Sequence, residues 1–409
     1  MLPDMSSPRA PSERAIVFAV GAVQFVNVLD FMMVMPLGPD FATALGIPLS
    51  QIGLVGGSYT AAASVSGLAG AFFLDRFDRR KALSIAMIGL VLGTLSGALA
   101  RDLGTLMLAR VLAGAFGGPA TSLAYSIIAD VIPAERRGRA MGAVMGAFSI
   151  ASILGVPAGL ELARHGGWRL PFIAVAVLGA ILGTYAHRVI PPMRAHVALA
   201  RSRPFGRDIL ELARVDVAES LALTAFVTGA GFVVIPNIAP YLIYNLGYPR
   251  AHLGLLYLLG GGVSFLTMRG VGWLVDRLGA APVGTFGTLL VSTVIYLGFE
   301  RVPPAVPVIA IFILLMFAMA FRNVAYNTLT SKVPATEERA RFASIQSATQ
   351  HLAAALAAFA STQLLGELPN HTLVGMGRVA LASIGLGVCV LVPLWAVERR
   401  LARRLTPGR

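Results

Sequence analysis

Two residues of opposite charge sit where charge is expensive. Asp30 lies in the apolar run QFVNVLDFMMVMPLGPD (Gln24 to Asp40), and Arg110 lies in LMLARVLAGAFGG (Leu106 to Gly118). Each run is apolar enough to be a membrane helix. A charged side chain at the centre of a bilayer costs about 2.5–3.5 kcal/mol on insertion scales, so it needs a partner or a wet cavity. On helices of opposite direction, Asp30 lies about seven residues, ~10 Å, below an edge, and Arg110 about five residues, ~8 Å, below the same edge. At such similar depths the two can pair. Burial and a nearby guanidinium pull the proton affinity of a carboxyl in opposite ways. Separating the helices would therefore change whether Asp30 holds a proton, which couples protonation to conformation. The alternative is a static buried pair that only fixes helix packing.

Other polar side chains fall inside apolar runs: Asn27, Tyr59, Asn237, Tyr241, Arg322, Asn323, Asn327, Gln346, Gln350 and His351. Such groups face protein or water rather than lipid, so they are candidates for lining a central substrate cavity. Arg322 has no obvious carboxylate partner in its half of the chain. It either meets an anionic substrate or reaches toward the surface. His351 is either a second protonatable site or a hydrogen-bonded structural histidine. Glu161 and Arg164, near the end of one run, form a gate or a solvated rim pair. Methionines such as Met32 and Met316 offer soft surface to varied apolar molecules, or plain packing.

The elements that must hold these residues follow from composition. Of 409 residues, 56% are hydrophobic and 13% charged, against roughly 25% charged in ordinary soluble domains. Lipid must solvate part of this chain. A helix needs about 20 residues to cross the hydrocarbon layer. Twelve runs qualify: 15–37, 51–74, 82–100, 105–128, 140–163, 168–190, 217–243, 252–275, 282–299, 303–330, 340–365 and 373–397. The expected organisation is a cytoplasmic tail over 1–14, a six-helix bundle over 15–190, a basic cytoplasmic linker over 191–216, a second six-helix bundle over 217–397 and a cytoplasmic tail over 398–409. Among the 33 Lys and Arg, Arg101, Arg164, Arg169, Arg250, Arg301 and Arg378 fall on outer connections, while most gather on inner ones. That is the positive-inside asymmetry, with both termini cytoplasmic. It explains the net charge of +13 through anionic lipid headgroups, without nucleic acid. One cysteine and six unclustered histidines argue against disulfides and metal sites, so no metal or cofactor is expected. No G-x-x-x-x-G-K-[ST], H-E-x-x-H or G-x-S-x-G occurs, which counts against ATP hydrolysis and other enzyme chemistry.

The halves echo each other. Leu74-Asp75-Arg76-Phe77 matches Val275-Asp276-Arg277-Leu278, and PAERRGR (Pro133 to Arg139) matches PATEERAR (Pro334 to Arg341), at the same offset. This indicates a parallel internal repeat about an axis along the membrane normal. At this point the chain resembles the major facilitator superfamily over nearly its whole length. AFFLDRFDRRK (Ala71 to Lys81) resembles that family's signature loop, G-x-x-x-D-R-x-G-R-[RK], with Ala71 and Asp78 replacing its glycines. The repeat copy GWLVDRLG (Gly272 to Gly279) keeps both glycines. The stretch around Arg110 resembles the helix 4 motif of proton-coupled members, L-x-x-x-R-x-x-x-G. GAFSIASILGVPAG, with Gly146, Gly155, Pro157 and Gly159, is similar to the helix 5 antiporter motif of exporters, although Val156 stands where glycine is usual.

The resemblance implies an all-α membrane fold of two pseudo-symmetric six-helix bundles. It implies that Asp75 meets the start of helix 11 and that Arg79 pairs with Asp130, latching the inner side; simple positive-inside anchoring is the alternative. It also implies a bacterial inner-membrane protein, monomeric, like the drug and sugar efflux permeases. The expected activity is proton-coupled export of a small amphipathic or drug-like molecule by alternating access. The partners are that substrate, protons and membrane lipids. A lipid or lysolipid flippase, an uptake symporter and a non-transporting receptor are the rival readings.

Overall fold

A computed structural model describes residues 12–194, 214–301, 307–334 and 339–405. Eleven of the described helices are long and apolar enough to cross a membrane. In the first half they are α1 (Glu13–Val34), α2 (Ile52–Phe73), α3 (Arg79–Ala98), α4 (Leu103–Val131), α5 (Arg139–Gly166) and α6 (Arg169–Val189). In the second they are α7 (Val215–Asn245), α8 (Arg250–Leu278), α9 (Ala280–Glu300), α10 (Val308–Ser331) and α12 (Met376–Leu405). Helix α11 (Arg339–Leu364) is as long but more polar, and it completes twelve. An even number of crossings puts both chain ends on one face, the terminal face; the opposite side is the far face.

Local chemistry starts the helices. Ser12 caps α1 by accepting the Ala15 N–H. Asp102 and Thr105 form a reciprocal capping box at α4, satisfying donors that the helix cannot use itself. The Thr105 backbone and hydroxyl donors hold the Asp102 carboxyl below the usual carboxylate range. Asp78 caps α3 through the Lys81 N–H. The signature-loop glycine that Asp78 replaces would have no side chain to do this.

The internal repeat appears as packing. In the first half α4 lies along α2 and α3, α6 along α3, and α1 along α5 and α6. In the second half α10 lies along α8 and α9, α12 along α9, and α7 along α11 and α12. Each contact recurs six helices later. The halves meet mainly where α2 packs on α11 and α5 on α8.

Glycine sets the closest approaches, because a bare Cα lets backbones touch. A Cβ on Gly114 of α4 would collide with the Tyr59 backbone carbonyl of α2, and one on Gly93 of α3 with the Ala113 backbone of α4. Gly114→Leu is therefore expected to cut the yield of monodisperse protein at least about tenfold, because the colliding atoms are backbone and cannot move aside. Gly262→Ala, which meets open space, should leave the size-exclusion profile unchanged.

Several features depart from the expected spans. A short helix, Gly38–Leu45, follows α1, and a two-residue β-hairpin, Gly366–Glu367 with Leu373–Val374, joins α11 to α12. Runs this short carry no periodicity to read. Helix α7 is interrupted at Val233–Val234 and ends in a π turn, Tyr241–Asn245, because Pro236 and Pro240 supply no N–H to the ladder. Helix α12 continues to Leu405, beyond the expected end at 397. Past the apolar part, its Arg400 and Arg404 pair with Glu219 (2.8 Å) and Asp216 (2.7 Å) of α7. Most of the expected 191–216 linker lies outside the described residues.

Candidate functional site: a buried ion pair within the first bundle

Asp30 of α1 and Arg110 of α4 do meet. Arg110 grips the carboxylate with two nitrogens, Nη2 to Oδ2 at 2.7 Å and Nη1 to Oδ1 at 3.1 Å. Both side chains are wholly buried, at 0% exposure. Nη2 also donates to the Asp30 backbone carbonyl at 3.3 Å. Thr94 of α3 donates its hydroxyl to Oδ1 at 2.7 Å. One carboxylate thus joins three helices. A bidentate, hydrogen-bonded pair is the arrangement that best offsets the loss of water around both charges.

The pair carries an outer layer. The guanidinium of Arg110 lies over the Tyr59 ring, 4.7 Å from its centroid. The Tyr59 hydroxyl donates to the Asn27 side-chain carbonyl at 2.6 Å. The Asn27 amide donates to the Gly117 carbonyl (2.9 Å) and the Thr121 hydroxyl (2.7 Å) of α4. Asn27 and Tyr59 are candidates for lining the central substrate cavity. The structure instead spends their polar atoms on supporting the ion pair. Thr94 and Thr121 escaped sequence reasoning: a threonine in an apolar helix bonds its own backbone just as readily, as Thr94 also does to Leu90 (2.8 Å), so its type carries no signal.

The other polar residues divide. Asn237 and Tyr241 of α7 are buried, and the Asn237 side-chain oxygen and the Tyr241 hydroxyl have no hydrogen-bond partner among the described residues. Gln346 of α11 ties Thr224 of α7 (3.2 Å) to Thr330 of α10 (3.0 Å). Asn323 lends its carbonyl to the Asn327 amide one turn on, at 2.8 Å, and Asn327 and Gln350 are exposed. His351 is half-buried and has no hydrogen bond among the described residues; its ring meets Phe31 of α1 edge-on at 6.5 Å. Arg322 of α10 is buried, and its Nε has no hydrogen-bond partner among the described residues. Glu161 and Arg164 pair with each other within α5 at 2.6 Å, both exposed, and among the described residues they pair with no other helix.

Polar links do cross between the halves at the far face. Asp40, in the short helix after α1, forms a two-pronged ion pair with Arg250 at the start of α8. The Leu49 N–H donates to Glu367 in the hairpin at 2.5 Å. Nearer the middle, the Ser64 hydroxyl of α2 donates to the Ala348 carbonyl of α11 at 2.9 Å. Nothing in the sequence marked Asp40, Arg250 or Glu367, since they are distant in the chain and sit in connections. The double substitution Asp40→Asn/Arg250→Gln is expected to loosen this face. In a Cys389→Ser background with spin labels on Ala44 and Asn370, the population at longer label separation should grow several-fold.

A bundle of paired six-helix halves with this internal repeat narrows the choice of family, and the whole sequence decides it: residues 20–358 match the profile of the Major Facilitator Superfamily. The chain belongs to the Major Facilitator Superfamily. This facilitator is 27% identical to a chloramphenicol resistance protein of Streptomyces lividans, over 66% of this chain and 68% of that one. It is 25% identical to a probable sugar efflux transporter of Pasteurella multocida, over 65% and 64%. Its fold matches a partially occluded, inward-open structure of the xylose transporter XylE from E. coli, with a TM-score of 0.73 over 94% of this chain and 98% of that one, at 17% identity. It is a multi-pass transporter of the facilitator type, and not an enzyme.

The facilitator motifs can now be placed. Arg79, at the start of α3, pairs with Asp130, near the end of α4, at 2.5 Å. The Asp75 side chain and the side chains at the start of α11, including Ala340, lie outside the described residues. Asp78 accepts the Met193 N–H at 3.1 Å and pairs with Arg194 at 3.4 Å, holding the chain that leaves α6. In α5, a π turn over Ala151–Gly155 runs directly into Pro157. A Cβ on Gly155 would strike Leu29 of α1, and one on Gly159 would just touch Met33. From α8, Gly261 and Gly254 face Ile153 and the Pro157 carbonyl, so this segment lies at the junction of the halves. Gly146 meets open space, so packing does not require glycine there.

Proposed function

We propose that this facilitator is a proton-coupled exporter, exchanging protons for a small amphipathic molecule by alternating access in a bacterial inner membrane, with both termini in the cytoplasm. The observation that carries the reading is the wholly buried Asp30–Arg110 pair, with Thr94 as its third member. A proton on Asp30 would cancel the charge attraction and free Arg110 to change its contacts. The affinity of Asp30 for that proton then depends on how α1, α3 and α4 sit, and by linkage the proton biases how they sit. The substrate would occupy the space between the halves, where its binding biases the same equilibrium. Two sites coupled through one moving body exchange their ligands without touching.

Export is favoured by the π turn and Pro157 of α5 at the junction of the halves, and by relatives whose names specify efflux or resistance. The Asp75–Arg79–Asp130 group is proposed to latch the cytoplasmic side. The proposed substrate-facing residues are Asn237, Tyr241, Arg322, Asn323, Asn327, Gln346, Gln350 and His351.

Proteoliposomes with a preset pH gradient test the reading. Lumenal pH is followed while dyes, sugars and lysolipids are added. Substrate-triggered proton movement opposite to substrate flux is the expected result. Substrate flux without proton movement would exclude coupling, and proton movement in the same direction would make the protein a symporter.

A further inference from the structure

Arg322 is the odd charge in the interior. It lies in the middle of α10 at 2% exposure. Its Nε is sealed from solvent with no hydrogen-bond partner among the described residues. No described carboxylate lies within ion-pairing distance of its guanidinium, and no described residue accepts a hydrogen bond from it. Arg110 is equally deep, but it holds Asp30 with two nitrogens. The other half therefore contains a buried cation with no carboxylate partner among the described residues. Arginine does not shed its proton in proteins, so it cannot escape the cost by becoming neutral. A lone buried ion is strongly disfavoured and persists only where something else compensates.

The surroundings indicate what that compensation is. The guanidinium faces Gly231 in α7, where a Cβ would lie 3.7 Å from Nη2. The next residue, Phe232, stacks on Phe31 of α1 at 5.7 Å, and Phe31 stacks on Tyr59 at 5.3 Å and meets His351 of α11. Tyr326, one turn along α10, is within electrostatic reach of both Arg322 and Tyr125 of α4. The position on α7 that the cation faces is thus adjacent in sequence to an aromatic cluster built from both halves. Tyr59 in that cluster is also the ring beneath Arg110.

We propose that Arg322 is the anchor for an anionic group, a carboxylate or sulfonate, on an aromatic or amphipathic substrate whose apolar body lies against Phe31 and Phe232. A guanidinium binds such groups through two parallel hydrogen bonds, and the low polarity around it strengthens that attraction. This rests on the reading that substrate occupies the space between the halves. It does not rest on proton coupling or on direction. It also separates this protein from carriers of neutral sugars, which would leave a buried cation unpaired.

The test is equilibrium binding to protein in phosphatidylcholine nanodiscs, at one pH and with no gradient, so that failure of proton coupling cannot affect it. The probes share one ring system: 1-naphthoate, naphthalene-1-sulfonate, 1-naphthamide and 1-naphthylmethylammonium. Wild type is expected to bind the two anions at least about tenfold more tightly than the amide or the ammonium compound, and high chloride should compete only weakly. Arg322→Gln should bring the four probes to similar affinity. Arg322→Lys should keep a weakened preference for the anions, and Gly262→Ala, which meets open space, should keep it in full. Equal affinity for all four probes in wild type, binding of none, or an anion preference that survives in Arg322→Gln would overturn the proposal. Loss of anion binding to chloride at equal concentration would also overturn it, by making the site one for inorganic anions.

Discussion

Asp30→Asn is expected to fold, bind substrate and lose pH-driven transport by at least about tenfold. Asparagine keeps the shape of the side chain. Its oxygen can still accept from Arg110 and Thr94, which now hold the carboxylate at 2.7–3.1 Å. It cannot take up or release a proton, so the free energy linking protonation to conformation vanishes. Counterflow of substrate between equal pH values needs no proton cycle and should persist. The measurement is lumenal pH and substrate uptake in parallel, for wild type and variant. Normal pH-driven flux in the variant would reduce the ion pair to a packing device.

Arg110→Met is expected to destabilise the protein by roughly 3–5 kcal/mol, the usual cost of leaving a buried charge without its partner. Asp30 would keep only the Thr94 hydroxyl, and Tyr59 would lose the cation above its ring. The double variant Asp30→Leu/Arg110→Met removes both charges and should recover most of that stability, because nothing charged is then left in apolar surroundings. Unfolding midpoints in mixed micelles give the comparison. A double variant as unstable as the single one would show that the site is held by its shape and wider network, and that charge balance contributes little.

Much of this was legible in the residues. Asp30 and Arg110 could be paired from helix depth alone because a charge in lipid has so few permitted surroundings. The twelve spans followed from the thickness of the bilayer, and the repeat from two matched loops. Reading failed where one residue type serves several ends. Asn27 and Tyr59 look like any polar groups in a membrane helix, and only their contacts show that they brace the ion pair. His351 and Gln346 both read as cavity polar groups, yet one has no hydrogen bond among the described residues and the other links two helices. The far-face pair of Asp40 with Arg250 joins residues 210 apart in sequence, in connections that carry no periodic pattern.

The sequence by itself determined the membrane, the number of crossings, the two-fold repeat and the depth of the buried charges. These depend on composition and on distance along a helix, which the chain carries locally. The tertiary structure alone decided which helices share the Asp30 carboxylate, which polar groups are already satisfied, and that Arg322 has no partner among the described residues. Those depend on which faces of different helices meet, and that is set by side chains far apart in the chain packing together all at once.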